Sequence, residues 1–107
     1  MKLLTQDVRK RLPPLRSQEQ NPDPMVPVKF FDPTGAATWW IIEGEDEDDD
    51  FLMFGFVNLG DLNCAELGNV SMNELQSFKG RFGIGIERDL YWMPVPLSEV
   101  RAKLGLP

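Results

Sequence analysis

The stretch TWWIIEGEDEDDDFLMFGFV, residues 38–57, places seven carboxylates in eight positions between two apolar segments. The apolar segments, 38–42 and 51–57, have the length and the aromatic and β-branched content of buried strands. Because so many like charges cannot share an interior, the run between them, 43–50, predicts a solvated acidic loop at the tip of a hairpin. Each strand is apolar on both of its alternating sides, so both are expected near the centre of a layered domain.

The remaining signals along the chain predict an α+β fold. They are helix caps at Thr5 and Ser98, a capping box that begins at Ser71, several turn motifs and a Pro-rich stretch. We expect a single domain over residues 1–107, with a mostly antiparallel, twisted sheet of four to five strands and three short helices. Its parts are an N-terminal helix in 1–12, a Pro-rich surface linker at 13–27, a sheet core with one helix at 28–93, whose last strand is 84–93, and a C-terminal helix at 98–104. The predicted core residues are Trp39, Trp40, Ile41, Phe54, Phe56, Leu75, Ile86 and Leu90.

The composition is typical of a small protein that folds on its own core. The chain has 107 residues, of which 42% are hydrophobic, and this is the usual size of one domain. The single cysteine, Cys64, excludes an internal disulfide and fits a reducing compartment. No apolar run approaches the roughly 20 residues of a membrane span, and the N-terminus lacks the apolar core of a secretion signal. We therefore expect a cytoplasmic protein that does not contact a membrane.

The net charge of −6 is distributed unevenly. Residues 1–16 carry five basic side chains and one acidic one, whereas residues 17–107 carry six basic and sixteen acidic ones. A body this acidic repels nucleic-acid phosphates, so nucleic acid is not the expected partner. Only the basic N-terminus could contact it, and five cations there also fit the solvated face of a short helix.

Several kinds of reaction chemistry are missing from the sequence. The chain has no histidine, which removes the usual general base and most triads and zinc sites. Cys64 has no histidine partner and is expected to be a buried or half-buried thiol. The acidic run begins like a calcium-binding EF-hand loop, but Phe51 and Val57 stand where that loop needs glycine and glutamate. No cofactor and no metal site is predicted, and loose binding of a divalent cation by the loop remains an alternative.

A second set of polar residues lies at predicted strand ends. It comprises Glu43, Glu66, Glu87, Arg88 and Asp89. Alternation along the last predicted strand places Arg88 on the apolar side, where a guanidinium needs a carboxylate partner; Glu43 and Glu66 are the candidates. Glu87 and Asp89 are two positions apart, which suits an acid/base pair as well as a polar sheet face. The set predicts either an ion-pair network or a carboxylate site.

Several short motifs occur in an order that is familiar from one protein family. They are Asp32-Pro33-Thr34-Gly35, Ala37-Thr38-Trp39, Glu43, Phe54 to Gly60, Glu66 to Ser71, Glu74-Leu75 and Ile86 to Leu90. In this order the chain resembles the domain-of-unknown-function 2958 family over residues 1–93, with the acidic run and the Pro-rich segment as additions. The resemblance implies a small bacterial protein of plasmids, integrative conjugative elements and phages, with an accessory role near conjugation and anti-defence functions. It carries over no catalytic residue.

These observations favour a non-enzymatic accessory protein that acts by binding another protein. The expected binding residues are Glu45, Asp46, Glu47, Asp48, Asp49 and Asp50. The expected partner is a host or element-encoded protein with a basic surface, for example a restriction or CRISPR protein inhibited by a mimic of nucleic acid. Two alternatives remain. One is a small carboxylate-based or metal-dependent hydrolase built on Glu43, Glu66, Glu87 and Asp89, and the other is a weak nucleic-acid accessory protein that uses the basic N-terminus.

Overall fold

The two apolar segments of the sequence form the central strands of a five-stranded sheet. A computed structural model describes the chain from residue 1 to residue 107. In chain order the elements are α1 (Gln6–Arg11), β1 (Met25–Val26), β2 (Val28–Phe31), β3 (Thr38–Glu47), β4 (Asp50–Asn58), β5 (Glu66–Ser71), α2 (Met72–Ser77), β6 (Glu87–Arg88), β7 (Val95–Pro96) and α3 (Leu97–Lys103). The main sheet has the order β5-β4-β3-β2-β6, and β1 pairs with β7 in a second, two-stranded sheet.

The predicted fold class is confirmed. Every pair of neighbouring strands is antiparallel, and three short helices pack on the sheet, so the chain is a single α+β unit. The helix starts follow the capping chemistry of the sequence: Thr5 accepts from the amide of Val8, and Ser71 accepts from the amide of Glu74. None of the three helices is long and apolar enough to cross a membrane.

Most of the acidic run is strand, which corrects the predicted loop. β3 continues to Glu47 and β4 begins at Asp50, so only Asp48 and Asp49 form the turn. Asp48, the first residue of the turn, has a φ of 53°, the positive value that this position of a two-residue hairpin turn needs and that aspartate tolerates. The ladder tolerates these charges because neighbouring side chains of a strand point to opposite faces.

A β-bulge at Ile42 sets which way the acidic side chains point. Ile41 pairs with Gly55 and Glu43 pairs with Phe54, which leaves Ile42 as the extra residue. Ile42 and Glu43 therefore line the same side of the sheet. From Glu43 onward, the alternation of side chains is shifted by one position relative to the first half of β3.

One side of the sheet, which we call the closed face, is covered by α1 and α2. Its core has 13 buried residues, and Phe30, Ile41 and Met53 at its centre have no exposed surface. The other side, the open face, is covered at one end by α3, over a smaller buried cluster of six residues that includes Trp40, Phe56 and Val100. The indole N–H of Trp92 donates to the carbonyl of Val26 (2.8 Å) at the edge of this second cluster.

Six of the eight predicted core residues are buried: Trp39, Trp40, Ile41, Phe56, Leu75 and Ile86. Phe54 is half-buried on the open face, and Leu90 is 67% exposed. The error at Leu90 follows from the predicted strand 84–93, of which only Glu87 and Arg88 are strand. After them Asp89 closes a turn, because its carboxylate accepts from the amide of Tyr91 (3.0 Å).

The start of the C-terminal helix is also corrected. α3 begins at Leu97, and Ser98, which was predicted to cap it, lies inside the first turn. Asp23 takes over the capping role from the linker, since its carboxylate accepts from both the amide and the hydroxyl of Ser98 (2.8 and 2.6 Å). These bonds lower the pKa of Asp23, chiefly through the Ser98 hydroxyl.

Candidate functional site

The acidic end of the β3–β4 hairpin reaches past its neighbour β2. Strand β2 pairs with β3 only as far as Ile41, so the outer edge of β3 beyond that point has no strand beside it. The Pro-rich segment covers this edge: the amide of Gly44 donates to the carbonyl of Pro13 (2.9 Å). The predicted surface linker is thus attached to the hairpin by specific hydrogen bonds.

Glu43 makes two of these attachments. Its carboxylate is buried (4% exposed) and accepts from the amide of Arg16 (3.0 Å) through one oxygen and from the amide of Gln18 (2.7 Å) through the other. Arg16 adopts a φ of 69°, which is strained for a side chain of this type. A buried carboxylate that receives two backbone donors is a structural clamp, because its charge is compensated by amide dipoles.

The next two carboxylates are also bound to other parts of the chain. Glu45 accepts from the amide of Leu15 (2.8 Å). Asp46 points to the closed face and forms an ion pair with Arg9 of α1, whose guanidinium also lies over the ring of Phe51, 5.4 Å from its centroid. The pair joins α1 to the hairpin, and since both side chains are partly exposed its contribution to stability is small.

Asp50, at the other end of the run, holds the start of α2. Its carboxylate accepts from the hydroxyl of Ser71 and from the amide of Asn73 (3.0 Å). The Ser71 hydroxyl, more than the neighbouring backbone amides, lowers the pKa of this carboxyl. Asp50 therefore stays ionised at neutral pH and fixes α2 to the hairpin.

Three carboxylates of the run remain free of bonds to protein. These are Glu47, Asp48 and Asp49, which we call the acidic turn; they are exposed, and their side chains form no hydrogen bond and no ion pair. The seven acidic residues could not be distinguished from the sequence. In the structure, four of them bind other groups of the protein and three do not. The acidic turn is the part of the run that is free to bind something else.

A groove runs along the open face beside the acidic turn. Its volume is about 620 Å³, within the range of small ligand and peptide sites. The floor includes Leu52, Phe54 and Leu67, and the linker and the first residue of α3 form the walls. The ionisable side chains along it are Arg16, Glu19, Glu43 and Glu47. With three carboxylates and one guanidinium, the groove is apolar below and acidic at its edge.

The second predicted set of polar residues does not come together. Arg88 is paired, as expected of a side chain that is only 14% exposed, but its partner is Asp7 of α1 (2.6 Å) and neither Glu43 nor Glu66. The Arg88 hydrogen bond, followed by that of Arg11, lowers the pKa of Asp7. Sequence reasoning missed this pair because the contact spans 81 residues of chain and no local pattern links the two positions.

The carboxylates of the hydrolase alternative lie far apart. Glu66 begins β5 at one edge of the sheet, whereas Glu87 lies on β6 at the opposite edge, four strand spacings or about 19 Å away. Asp89 pairs with Lys29 (3.6 Å), and Glu43 is enclosed by the linker. No three carboxylate or cysteine side chains are grouped so that they could share a metal ion.

Cys64 is exposed, which corrects the expectation of a buried thiol. Its sulfur lies 3.6 Å from Oδ2 of Asp61. The negative charge of Asp61 raises the pKa of this thiol, and Glu66 adds a smaller effect in the same direction. The thiolate, which is the reactive form, is therefore disfavoured.

The comparison with protein families gives one match. The family model described as "Protein of unknown function (DUF2958)" matches residues 3–103, which is nearly the whole chain. No curated protein and no solved structure matches the chain. The match includes the acidic run, the linker and all three helices. The chain belongs to the DUF2958 family.

Proposed function

We propose that this member of the DUF2958 family is a non-enzymatic protein that binds a basic, partly apolar segment of another protein. The observation that carries the proposal is the position of the groove: its apolar floor lies next to three carboxylates that bind nothing within the chain. Neither feature alone indicates a binding site. Their adjacency supports a partner that carries both apolar and cationic side chains.

The floor of the groove provides the apolar part of the proposed contact. Leu52 and Phe54 are half-buried, and Leu67 is 44% exposed on the outer strand of the sheet. Along β4, Leu52 and Phe54 alternate with Phe51 and Met53, which are enclosed on the closed face. An apolar surface that is contiguous, concave and bordered by polar groups favours interaction with a partner.

The acidic turn provides the electrostatic part. Glu47 and Glu19 line the groove, and Asp48 and Asp49 continue the negative charge beyond its end. Charges of one sign beside a low-dielectric surface accelerate encounter with an oppositely charged partner, and salt reduces this effect. Asp48 already has the backbone conformation of its turn, so binding need not order the backbone at this position.

The proposed partner is a host or element-encoded protein that displays Lys or Arg beside apolar residues. The basic surfaces with which restriction and CRISPR proteins bind nucleic acid belong to this class, and inhibition of such a protein is one form of the proposed function. The single cysteine supports action in the cytoplasm. The separation of Glu43, Glu66, Glu87 and Asp89 leaves the hydrolase alternative without a supporting constellation.

The test is a comparison of three variants in affinity capture from the host followed by binary binding assays. The first neutralises the acidic turn (Glu47→Gln, Asp48→Asn, Asp49→Asn), and the second changes the groove floor (Leu67→Ser). The third is a matched control that removes three exposed charges elsewhere (Glu66→Gln, Glu74→Gln, Glu99→Gln). We expect a specific partner to bind the wild type and the control, with an association rate that falls steeply with salt.

The first two variants should lose that partner by about tenfold or more while keeping the wild-type melting temperature, since their residues are exposed. A captured protein that binds the neutralised and Leu67→Ser variants as well as it binds the wild type would overturn the proposal. If the control variant loses the partner to the same extent, the effect comes from net charge, and the acidic turn is not the binding site.

A further inference from the structure

The strongest feature outside the groove is the loop Phe78–Gly85, which we call the basic loop. Its sequence, FKGRFGIG, contains two cations and no acidic residue in a chain whose net charge is −6. Lys79 and Arg81 are exposed and belong to none of the four salt bridges of the molecule. The basic loop is thus a positively charged region on an otherwise acidic protein.

Phe82 stands at the tip of this loop in a conformation that is unfavourable for a large side chain. Its ring is 93% exposed, and its φ of 59° and ψ of 20° lie in the left-handed region. Bulky residues seldom adopt this conformation, and nothing within the molecule covers the ring. A strained and fully exposed aromatic side chain favours a role in recognition.

The rest of the loop is rigidly built. The amide of Gly80 donates to the carbonyl of Ile84 (2.8 Å), and Lys79 pairs with Gly85 in an antiparallel bridge. The amide of Arg81 donates to the hydroxyl of Thr34 (3.0 Å), which itself donates to the buried Asp32 (2.9 Å). The position of Phe82 is therefore fixed by the β2–β3 turn.

This turn lies at the opposite end of the sheet from the acidic turn. Strand β3 joins the two ends, and its ten residues span about 30 Å. The basic loop of a molecule therefore cannot enter its own groove. The side chains of the basic loop are nevertheless complementary to the groove. Phe82 matches the apolar floor, and the two cations match Glu19 and Glu47.

We propose that the basic loop of one molecule occupies the groove of a second copy, so that chains associate head to tail. Phe82 lies on Leu52, Phe54 and Leu67, and Lys79 and Arg81 meet the carboxylates at the groove edge. The inference rests on the groove of the proposed function and names one partner for it. Because the loop and the groove lie at opposite ends of the sheet, a pair joined by one contact keeps a free groove on one molecule and a free loop on the other. Further copies add there, as an open chain or as a closed ring.

Sedimentation velocity of the full chain at increasing concentration and low salt tests the association. Two variants remove one surface each: Phe82→Gly removes the ring, and Glu47→Lys reverses the charge at the groove. Their matched controls are Leu90→Gly and Glu99→Lys, at exposed positions outside both surfaces. We expect the wild type and both controls to associate beyond dimers, and each of the first two variants to remain monomeric.

The decisive measurement mixes Phe82→Gly with Glu47→Lys. Each retains the surface that the other lacks, so the mixture should form a one-to-one dimer and nothing larger. With Phe82→Gly labelled with nitrogen-15, amide shifts in that dimer should appear at Glu47, Leu52, Phe54 and Leu67. The Phe82→Gly variant should also keep or raise the melting temperature, because glycine is unstrained at this φ.

The inference is overturned if the wild type is monomeric at every concentration, if Phe82→Gly still associates, or if the mixture stays monomeric. A melting temperature strongly lowered by Phe82→Gly would show that the ring is structural. This outcome can be distinguished from failure of the proposed function. If the wild type is monomeric but still binds a basic host protein, only the self-association is wrong. If the wild type associates head to tail, and the variant with a neutralised acidic turn captures the same host proteins as the wild type, only the proposed function is wrong.

Discussion

The closed and open faces of the sheet are built from the same apolar strands but differ in how fully their side chains are buried. On the closed face, α1 and α2 enclose Phe51 and Met53 almost completely. On the open face, the seven-residue α3 covers one end, and the other end has only the irregular linker beside it. Leu52 and Phe54, which alternate with the enclosed pair along β4, stay half-exposed.

The difference shows that apolar character on both sides of a strand does not imply equal burial. The two helices of the closed face contribute the buried side chains of Val8, Met72 and Leu75, whereas the Pro-rich linker contributes mainly backbone amides and carbonyls to its contact with β3. The closed face therefore carries most of the stability, and the open face retains apolar surface that is free for binding.

The largest effect is expected at Met53. Met53→Ala opens a cavity in the enclosed core and should cost about 2–5 kcal/mol of unfolding free energy. Phe54→Ala removes a larger side chain but a half-exposed one, and should cost about 1–2 kcal/mol. Urea unfolding of both variants measures the difference. Equal losses would show that the open face is as tightly packed as the closed one.

The next comparison is between two glutamates of the acidic run. Glu43→Ala leaves the amides of Arg16 and Gln18 without their acceptor and should cost about 1–3 kcal/mol. Glu47→Ala should change stability by less than about 0.5 kcal/mol, since its carboxylate binds no other group. Faster proteolysis of the linker in Glu43→Ala alone would support the clamp. If both variants unfold alike, the linker is not held by Glu43.

The smallest effect concerns how the free energy of unfolding changes with pH in acid. The pKa values of Asp7, Asp23 and Asp50 are all lowered in the folded state, by Arg88, Ser98 and Ser71 respectively. Their contribution is therefore complete above the ordinary aspartate pKa of about 3.9 and is lost as the pH falls through the lower folded values. Below about pH 4, stability should decline, and Asp50→Asn should make that decline shallower.

Thermal unfolding between pH 2 and pH 7 checks this expectation, with Asp49→Asn as the control because its carboxylate binds no other group. If Asp50→Asn and Asp49→Asn give the same acid limb, the hydrogen bonds of Asp50 do not stabilise the fold.

The sequence was sufficient for the central hairpin, the caps at Thr5 and Ser71, and the fold class, because these depend on local pattern. Prediction from the sequence failed where the local structure depends on a contact with a residue far away in the chain. The acidic run was expected to be a loop, since nothing local reveals that Arg9, Arg16 and Gln18 supply partners for its carboxylates. Leu90 was placed in the core because apolar alternation continues past Asp89, where the aspartate turn ends the strand.

The groove could not be predicted for a related reason. Its apolar floor was visible in the alternation of β4, but the incomplete cover over it depends on how far α3 and the linker extend. The exposure of Phe82 carries a weak sequence signal, since glycines at 80, 83 and 85 predict a turn there. The left-handed backbone of Phe82 itself had no such signal.

The bulge at Ile42 has a consequence for insertions and deletions. Because it adds one residue to β3, it acts as a phase shift between the two halves of the strand. Deleting Ile42 would remove that extra residue and leave every later side chain on its present face, with Glu45 and Glu47 on the side of the groove. If β3 instead kept all its residues and lost the bulge, Glu45 and Glu47 would turn inward toward Leu12 and Phe51, and Gly44 and Asp46 would turn toward the groove. One residue added or deleted between the bulge and the turn would also exchange these faces and bury unpaired charge, so residues 43–47 should tolerate substitutions far better than changes in length.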